Sequence, residues 1–316
     1  MFGAAMHPST AAIGIDIGGT NLRAARISRT GEILERLAEK VTTRDPAEVL
    51  ARIGVLARQL DRPNVVAIGI GVPGRVDARR RTVLSGGYVD LSNLALAQDV
   101  ERTTGRPVII DNDCNMALVA EIAVGAAQGR ESVVMFTIGT GIGGAIVLES
   151  QIVRGRMAAG QLGHITVNVD GEPCACGRRG CVETTSSGTA LRRLIAQAGL
   201  PAETTAGDLF RRAQGGDAQA AALLQGWARP LRAAIDSVVA AFDPELVLLG
   251  GGLGHAAKAA LAAAQPLAPW YQCPVEAAAL GDDAGVIGAG LCALIEHRDA
   301  ADDMPARGRV RERARP

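Results

Sequence analysis

The chain has 316 residues, of which 48% are hydrophobic and 21% are charged. This composition is typical of a globular protein with room for two domains, and it excludes a disordered or fibrous chain. The 33 basic and 33 acidic side chains cancel, so no overall electrostatic field favours binding to nucleic acid or to a membrane surface.

No segment predicts export or insertion into a membrane. Residues 1–11 lack a charged stretch and a long apolar run, and no apolar run elsewhere reaches the roughly 20 residues of a membrane span. We therefore expect a cytoplasmic protein with disordered ends at 1–11 and 300–316. In a reducing compartment, three of the six cysteines are expected to bind metal, leaving Cys114, Cys273 and Cys292 as small core residues.

A glycine turn joins the first predicted strand, 12–17, to a second strand at 22–28. The turn has the sequence Gly18-Gly19-Thr20-Asn21. A dinucleotide-binding motif or a P-loop would need a helix after the glycines, and neither of the two lysines follows a glycine-rich loop. The pattern instead predicts a hairpin whose amide groups approach phosphate oxygens, with Asp16 beside them to hold Mg²⁺ directly or through water. A plain hairpin turn would explain the same residues without a ligand.

The next elements lead to a pair of polar residues at the end of a strand. They are predicted as a strand at 33–41, a helix at 46–60, a buried strand ending at Pro73-Gly74, a helix at 94–104 ending at Gly105, and a strand at 107–111. Asn112 and Asp113 follow at once, before a helix of about fifteen residues that begins near Asn115. Ligands collect at the carboxyl ends of strands in α/β sheets, which makes Asp113 a candidate active-site residue. An aspartate here also suits the N-cap of the helix, a role without chemistry.

The second half of the chain repeats the strand, glycine turn and strand of the first half, over residues 132–148. The residues of this second turn are Gly139, Thr140, Gly141, Gly143 and Gly144. Two hairpins of the phosphate-binding type, one in each half, predict two similar domains that face each other across a cleft.

The stretch 160–183 contains four residues of the types that bind zinc. His164, Cys174, Cys176 and Cys181 can complete a tetrahedral Cys₃His site, and four protein ligands leave no open position for a catalytic water. Gly177 and Gly180 lie between the last two thiols, where a tight turn often needs a positive φ. Three buried thiols near a histidine are the alternative, and a disulfide is disfavoured in a reducing compartment.

The remainder of the chain predicts helices around one more strand. The helices are expected near 187–197, 205–214, 217–241 with a kink or a new start at Pro230, and 285–297, the last packing back across both domains. Between them, the segment 246–253 is predicted as a strand, then Gly250, Gly251 and Gly252, then the start of another helix. At these glycines the backbone can lie against a flat ring such as adenine.

Seven motifs occur in the order in which the ROK family (repressor, open reading frame, kinase) carries them, over residues 12–296. They are DIGGTN, GVPGRVD, DND before a helix, TIGTGIGG, GQLGH, CACGRRGCVE and LLGGG. The chain resembles this family, and within it the free-standing sugar kinases of the glucokinase, N-acetylmannosamine kinase and allose kinase type. The resemblance implies an α/β fold of the actin-like ATPase (ribonuclease H-like) class, with duplicated domains, a central cleft and a structural zinc module. We expect a smaller domain at 12–111 plus the helix 285–297, and a larger one at 112–284.

By that resemblance, Asp113 is the general base that deprotonates a sugar hydroxyl. The implied sugar contacts are Asn112, Gln161, His164, Glu183 and Gly87, of which His164 also binds zinc. The phosphates of ATP are expected along Asp16 to Asn21 and Gly139 to Gly144, and adenosine at Gly250 to Gly252. The implied enzyme is an ATP-dependent sugar kinase with Mg²⁺ and structural Zn²⁺, a hexose-type substrate, and a homodimeric or homotetrameric assembly.

Two positions depart from the family pattern. Gln161 stands where family kinases generally carry the glutamate of an E-x-G-H motif, and glutamine donates as well as accepts hydrogen bonds. Glucose is therefore not assumed as the substrate. The segment Ser85-Gly86-Gly87-Tyr88 replaces the asparagine-containing loop that usually precedes the sugar pocket.

Two other functions stay open: a sugar-responsive transcriptional regulator, and a sugar-binding protein that has lost catalysis through Gln161. Regulators of this family carry a helix-turn-helix region before the first glycine hairpin, where this chain has eleven residues. The arginine-rich segment 307–315 contains nothing that suggests reading of bases, so nucleic acid is not an expected partner. The intact base and both glycine hairpins favour the kinase.

Overall fold

The computed structural model describes residues 10–19, 21–87, 89–262, 264 and 272–302. Its centre is a pair of five-stranded mixed sheets, each with helices packed against it. None of the helices in the described part of the chain is long and apolar enough to span a lipid bilayer.

The first sheet begins with an antiparallel meander and continues with parallel strands. The elements of this half are β1 (Ala11–Ile17), β2 (Asn21–Ser28), β3 (Ile33–Lys40), α1 (Pro46–Leu60), β4 (Val65–Val72), β5 (Arg75–Asp77), β6 (Thr82–Ser85), α2 (Leu96–Thr104) and β7 (Val108–Asn112). The spatial order is β3-β2-β1-β4-β7, and β5 and β6 form a separate pair. Since β1, β4 and β7 are parallel, their carboxyl ends meet at one edge, which brings Asp16 near Asn112 and Asp113.

The second sheet has the same arrangement. Its elements and the helices around it are α3 (Asp113–Val124), β8 (Val133–Ile138), β9 (Ile142–Leu148), β10 (Gln151–Ile152), α4 (Glu183–Ser186), α5 (Gly188–Gln197), α6 (Ala206–Gln214), α7 (Ala218–Phe242), β11 (Leu246–Gly250), α8 (Gly254–Leu261), β12 (Val275–Ala277) and α9 (Ala284–Asp302). The order β10-β9-β8-β11-β12 matches the first sheet strand for strand, with β8 and β9 in the place of β1 and β2. This agrees with the predicted repeat, while the domain bounds stay a prediction.

Helix α9 returns from the second half of the chain to the first sheet, where it packs on β1, β2 and β4 and along α3. Two strand glycines make this close approach possible. A Cβ atom would lie 1.8 Å from the carbonyl oxygen of Val286 if built on Gly14, and 1.9 Å from that of Ala289 if built on Gly69. Any larger side chain at either position would push the helix away from the sheet.

The hydrophobic cores follow the two sheets. One core joins β1, β2, β4 and β7 to α1 and α2, and the other joins β8, β9 and β11 to the helices α5 to α8. Both α1 and α2 place one apolar side inward, as the 3.6-residue spacing predicts. Each sheet is therefore packed around a hydrophobic core of its own.

Several predicted boundaries need correction. Helix α2 starts two residues later than expected, and α3 starts at Asp113 with twelve residues. Helix α7 runs through Pro230, because Trp227 and Leu231 on either side of it are buried in the second core. The expectation of disordered ends is wrong for residues 10, 11 and 300–302, which lie in or beside β1 and α9. Residues 1–9 and 303–316 lie outside the described part of the chain.

Candidate active site

A cleft of about 440 Å³ lies where the two glycine hairpins and the β7–α3 junction meet. Most of the predicted site residues line it. They are Gly18, Gly19, Asn112, Asp113, Gly139, Thr140, Gly141, Gly143, Gly144, Gln161, Glu183 and Gly251.

Asp113 is the first residue of α3, and its carboxylate is held by two neighbours. Its Oδ1 accepts hydrogen bonds from Nδ2 of Asn112 and from the amide of Cys114, both at 2.9 Å. Burial raises the pKa of Asp113, which these hydrogen bonds partly oppose. The N-cap of α3 is Asn112, whose Oδ1 accepts from the amides of Cys114 and Asn115. Capping alone therefore does not require the aspartate.

Asp16 lies close to Asp113 beneath the first hairpin. A Cβ atom on Gly285 would lie 2.8 Å from Oδ1 of Asp16, so the first turn of α9 covers this carboxyl group. Burial, followed by the charge of Asp113, raises the pKa of Asp16 to about 7, although Arg23 at 3.6 Å opposes the shift. A buried carboxylate with a raised pKa next to a second carboxylate is a place where a cation would favour the ionised form.

The second hairpin is tied to the helices behind it. The amide of Gly188 donates to the carbonyl of Gly139, and the amide and hydroxyl of Thr189 donate to the carbonyl of Thr140. On the other side, Oε2 of Glu183 accepts from the amide of Ile142 at 2.9 Å. The tip of this hairpin is thus held in place without any ligand.

Close packing explains some of the cleft glycines without a phosphate. Gly143 and Gly144 belong to β9, where a Cβ atom would lie 2.6 Å from Sγ of Cys114 and 2.6 Å from Leu162 respectively. Gly251 has φ of +75° and approaches the backbone of Ile138. Among the described turn glycines, Gly139 has nothing within 4 Å of an added Cβ atom, whereas Gly141 is packed against Glu183.

The predicted metal ligands come together. His164, Cys174, Cys176 and Cys181 each offer one ligand atom, and these atoms all lie within 4.8 Å of one another. Nδ1 of His164 is 3.6 Å from Sγ of Cys174, and the Sγ atoms of Cys176 and Cys181 are 3.6 Å apart. Tetrahedral zinc with thiolates at 2.3 Å requires edges of about 3.8 Å, so the donor set and its spacing fit this ion. Gly177 and Gly180 have the positive φ values expected for the turn.

The metal-ligand loop leads directly to Glu183. The carbonyl of Cys181 accepts the amide of Thr184 at 2.9 Å and its hydroxyl at 2.7 Å. The amide of Val182 also donates to the carbonyl of Ile165. These hydrogen bonds fix the backbone on both sides of Glu183, so the position of the Glu183 carboxylate depends on the conformation of the loop that carries the cysteines.

Some predicted site residues lie elsewhere. Asp16 and Gly250 line a smaller cavity of about 180 Å³ that shares Asp113 and Gly251 with the cleft, and Gly87 lines a third cavity beside Glu183. Asn21, His164 and Gly252 are not among the described residues that line the cleft. Thr20 lies outside the described residues.

Sequence reasoning missed Arg23, which lines the cleft and pairs with both Asp16 and Asp282. The signal was present, because antiparallel pairing of β1 with β2 around the glycine turn sets Asp16 directly opposite Arg23. Thr137, whose hydroxyl is 3.1 Å from Sγ of Cys114, was also missed. Its position matches that of Asp16 in the repeat, since each lies two residues before the first turn glycine.

Comparison with known proteins gives a consistent result. The model of the ROK family matches residues 12–296. A glucokinase of Thermotoga maritima is 31% identical over 306 residues, which cover 89% of this chain and 96% of that protein. An N-acetylmannosamine kinase of Yersinia pseudotuberculosis is 33% identical over 290 residues, covering 89% and 97%.

Solved structures include both an enzyme and a regulator. The ROK family glucokinase from Streptomyces griseus in complex with glucose and AMPPNP is 30% identical, with a TM-score of 0.76 over 90% of this chain and 99% of that chain. A ROK family transcriptional regulator, a homologue of the E. coli MLC protein, is 31% identical, with a TM-score of 0.78 over 93% and 78%.

Proposed function

The chain belongs to the ROK family, and we propose that it is a sugar kinase that transfers the γ-phosphoryl group of ATP to a hydroxyl group of a hexose or a hexose derivative. The observation that carries this proposal is the carboxylate of Asp113 at the meeting point of the two glycine hairpins, inside the cleft. Similarity to glucokinases and to an N-acetylmannosamine kinase over most of each chain supports it.

Asp113 acts as the general base. A sugar hydroxyl is a weak nucleophile until its proton moves to a base, and a positioned base contributes about 10²- to 10⁴-fold. Because Oδ1 already accepts two hydrogen bonds, the proton goes to Oδ2. The raised pKa of Asp113 makes the carboxylate a stronger base than an exposed one, provided that it is ionised.

The hairpins and Arg23 orient and stabilise the phosphates. Phosphoryl transfer depends on alignment and charge stabilisation more than on covalent chemistry. The amides of Gly18 and Gly139 donate to carbonyls within their own turns. The amides of Gly19 and Thr140, further along the turns, can donate to phosphate oxygens from opposite walls, and Arg23 adds a positive charge at the cleft. The similarity to the AMPPNP complex supports ATP as the donor, with adenosine near Gly251.

Mg²⁺ fits the carboxylate of Asp16. Hard oxygen ligands suit this ion, and the raised pKa of Asp16 indicates that the ionised form lacks a sufficient positive partner in the protein alone. When bound there, directly or through water, Mg²⁺ would neutralise charge on the β- and γ-phosphates. The role of Asp16 is to hold the ion at the end of the cleft next to Asp113.

Zn²⁺ fits the Cys₃His cluster and would have a structural role. The four ligands leave no position for a reacting water, and burial raises the pKa of Cys181 to about 12, so a thiolate there needs a cation. A bound ion would fix the position of Cys181, and the hydrogen bonds from Thr184 to Cys181 would then fix the position of Glu183. Chelation should remove about one zinc per chain and lower the melting temperature, which metal analysis and calorimetry would measure.

The substrate is proposed only as a class. Asn112, Gln161 and Glu183 line the cleft near the base and can bind sugar hydroxyls, whereas Gly87 lines the adjoining cavity and would contact only a larger or shifted sugar. His164 lines neither space, so its sugar contact stays a prediction from the family resemblance. Glutamine at 161 both donates and accepts, so it selects hydroxyl or acyl groups that a glutamate would not. The adjoining cavity beside Glu183 leaves room for a substituent on the hexose.

Other expectations from the sequence continue as proposals. We propose a cytoplasmic location, which fractionation would test. Limited proteolysis would test the proposed domains at 12–111 with 285–297 and at 112–284, and light scattering would test for a homodimer or homotetramer. A regulator remains the second candidate function, since a ROK regulator is similar in structure. Sequence-specific DNA binding at physiological salt, with no sugar phosphorylation, would favour it.

The experiment is a panel of hexoses, amino sugars, N-acetyl sugars and polyols with ATP and Mg²⁺, measured by coupled release of ADP. We expect one class of sugar to release ADP well above the rate without sugar. Gln161→Glu is the matched variant, because activity confined to it would indicate a sugar-binding protein. Failure of the whole panel with the folded wild-type protein would contradict the proposed function.

A further inference from the structure

An ion pair with a buried carboxylate and a partly exposed arginine connects the two halves of the molecule directly behind Asp113. Asp111 lies in β7 of the first sheet, and Arg154 follows β10 of the second. Nε and Nη2 of Arg154 both donate to Oδ2 of Asp111, at 3.0 and 2.5 Å. The Asp111 side chain is only 5% exposed. Charge-assisted hydrogen bonds from two nitrogens of the guanidinium fix its orientation as well as its distance.

The other oxygen of Asp111 contacts the residues that hold the base. Oδ1 accepts from the amide of Asn112 at 2.7 Å and from Nδ2 of Asn115 at 3.0 Å. Nδ2 of Asn112 in turn donates to Oδ1 of Asp113. Hydrogen bonds thus connect Arg154 to the carboxylate of Asp113 through Asp111 and Asn112.

Arg154 also begins the loop that leads to Gln161. Its carbonyl accepts the amide of Ala159 at 3.4 Å, and the carbonyl of Met157 in the same loop accepts Nε of Arg75 at 3.2 Å. The loop is therefore attached to the first half of the molecule through Arg75 and Asp111. One ion pair holds both the strand end that carries the base and the loop that carries a sugar contact.

We propose that Asp111 and Arg154 are positioning residues that fix Asp113 relative to the sugar held near Gln161. The inference rests on the proposed function, because it assumes that Asp113 is the base. Neither residue of the pair is among the described residues that line the cleft; both line a separate cavity of about 530 Å³. Their effect on the reaction is through Asn112 and through the loop, not through contact with substrate.

The test measures coupling as well as rate, on the full chain with ATP and the best sugar of the panel. Arg154→Met and Asp111→Asn should each lower kcat for sugar phosphate about 10- to 100-fold, since a displacement of about 1 Å at a reacting centre costs this much. The KM for ATP should change less than about twofold, because the nucleotide wall is untouched. The ratio of ATP hydrolysed to sugar phosphate formed should rise, because water replaces a misplaced hydroxyl.

Two further variants separate positioning from general stability. Arg154→Lys keeps the charge but not the two-nitrogen geometry, so it should recover only part of kcat. Arg106→Met is the matched control: Nε of Arg106 donates to Asp61 at 3.0 Å, both side chains are partly buried, and the pair lies at the opposite end of β7. This variant should lose some stability, less than Arg154→Met because Asp61 is more exposed than Asp111, and keep the wild-type coupling ratio.

The outcomes are distinct. Wild-type kcat and coupling in Arg154→Met and Asp111→Asn, or equal losses in Arg106→Met, would overturn the positioning role while leaving the kinase intact. If Arg154→Met does not fold, Arg154→Lys and Asp111→Asn decide the same question by the coupling ratio. A wild-type protein without sugar kinase activity would overturn the proposed function and this inference with it.

Discussion

The two glycine hairpins occupy matching places in the two sheets but differ in the residue before the turn. Asp16 precedes Gly18 by two residues, and Thr137 precedes Gly139 by two residues. Burial and Asp113 raise the pKa of Asp16 to about 7, whereas Thr137 is neutral and contacts Cys114. At this position the first hairpin, here called the charged wall, carries a carboxyl group at a cost in stability, and the second hairpin, here called the neutral wall, carries an uncharged hydroxyl group.

The hairpins also differ in how they are supported. The second is fixed by Gly188 and Thr189 from α5 and by Glu183. In the first, the amide of Gly18 donates to the carbonyl of Asn21 across the turn. A hairpin held from behind can present amides to a phosphate without reorganising.

The largest difference in kcat between the two walls should appear when the side chains of Asp16 and Thr137 are each replaced. Asp16→Asn should lower kcat at least about 100-fold, because the carboxylate proposed to hold Mg²⁺ is lost. Steady-state kinetics over a range of Mg²⁺ concentrations measures this, and a wild-type rate at saturating Mg²⁺ would contradict the proposed metal site.

The same variant should be more stable than the wild type at pH 8 in the absence of Mg²⁺. The folded state holds the Asp16 proton more tightly than the unfolded state, with a pKa of about 7 against 3.8. The unfolded state therefore binds fewer protons between these values, and stability falls as pH rises through that window. Removing the charge should recover up to about 4 kcal/mol of unfolding free energy at pH 8, because each of the roughly three pH units between the two pKa values corresponds to about 1.4 kcal/mol. Urea denaturation at pH 4 and pH 8 tests the sign.

The pH dependence of the reaction is expected to follow from the ionisation of Asp113, which lies beside Asp16. Asp113 must be ionised to accept a proton, and burial raises its pKa. The acid limb of kcat/KM for the sugar should therefore lie above the value near 3.9 of an exposed aspartate, with a tenfold fall for each pH unit below it. A profile that stays flat down to pH 4 in the folded enzyme would contradict this role.

Gly141→Ala tests the support of the neutral wall. A Cβ atom there would lie 2.5 Å from Oε2 of Glu183, so the carboxylate must leave the amide of Ile142. We expect the KM for the sugar to rise about tenfold, with about 1 kcal/mol lost from stability. Gly139→Ala is the control in the same hairpin, because nothing lies within 4 Å of its added Cβ. Equal effects of both variants would mean that Glu183 is not involved.

The smallest effect is expected for Thr137→Val, which removes one hydroxyl and keeps the shape. The contact with Cys114 is lost, but no charge changes, so kcat should fall less than about fivefold. A loss as large as that of Asp16→Asn would show that the two walls are functionally alike, contrary to the comparison.

Much of this arrangement was predictable because it is local in sequence. Two apolar strands around a glycine turn specify a hairpin. Three thiols within eight residues predict a loop of candidate metal ligands, and the structure brings these thiols together, with positive φ at the expected glycines. Ligands bind at the carboxyl ends of parallel strands, and this rule predicted that Asp113, which follows such a strand, lines the cleft.

The rest depends on contacts between distant residues. Glu121 is fully buried and accepts the amides of Ala279 and Leu280, about 160 positions away, as only the folded chain reveals. The approach of α9 to Gly14 likewise depends on a helix from the other end of the chain. The pairing of Asp111 with Arg154 is of the same kind, since neither residue has a local pattern that points to the other.

The most direct test of the account is a single-turnover experiment with ³¹P NMR, using enzyme in excess over ATP and a sugar accepted by the wild type. Wild type and Asp113→Asn are compared after circular dichroism has established equal folding. We predict that the wild type converts the γ-phosphate signal to a sugar phosphate, while Asp113→Asn, which keeps the side-chain volume, does so at least about 100-fold more slowly. Sugar phosphate formed at the wild-type rate by Asp113→Asn would contradict the claim that this carboxylate is the base between the two hairpins.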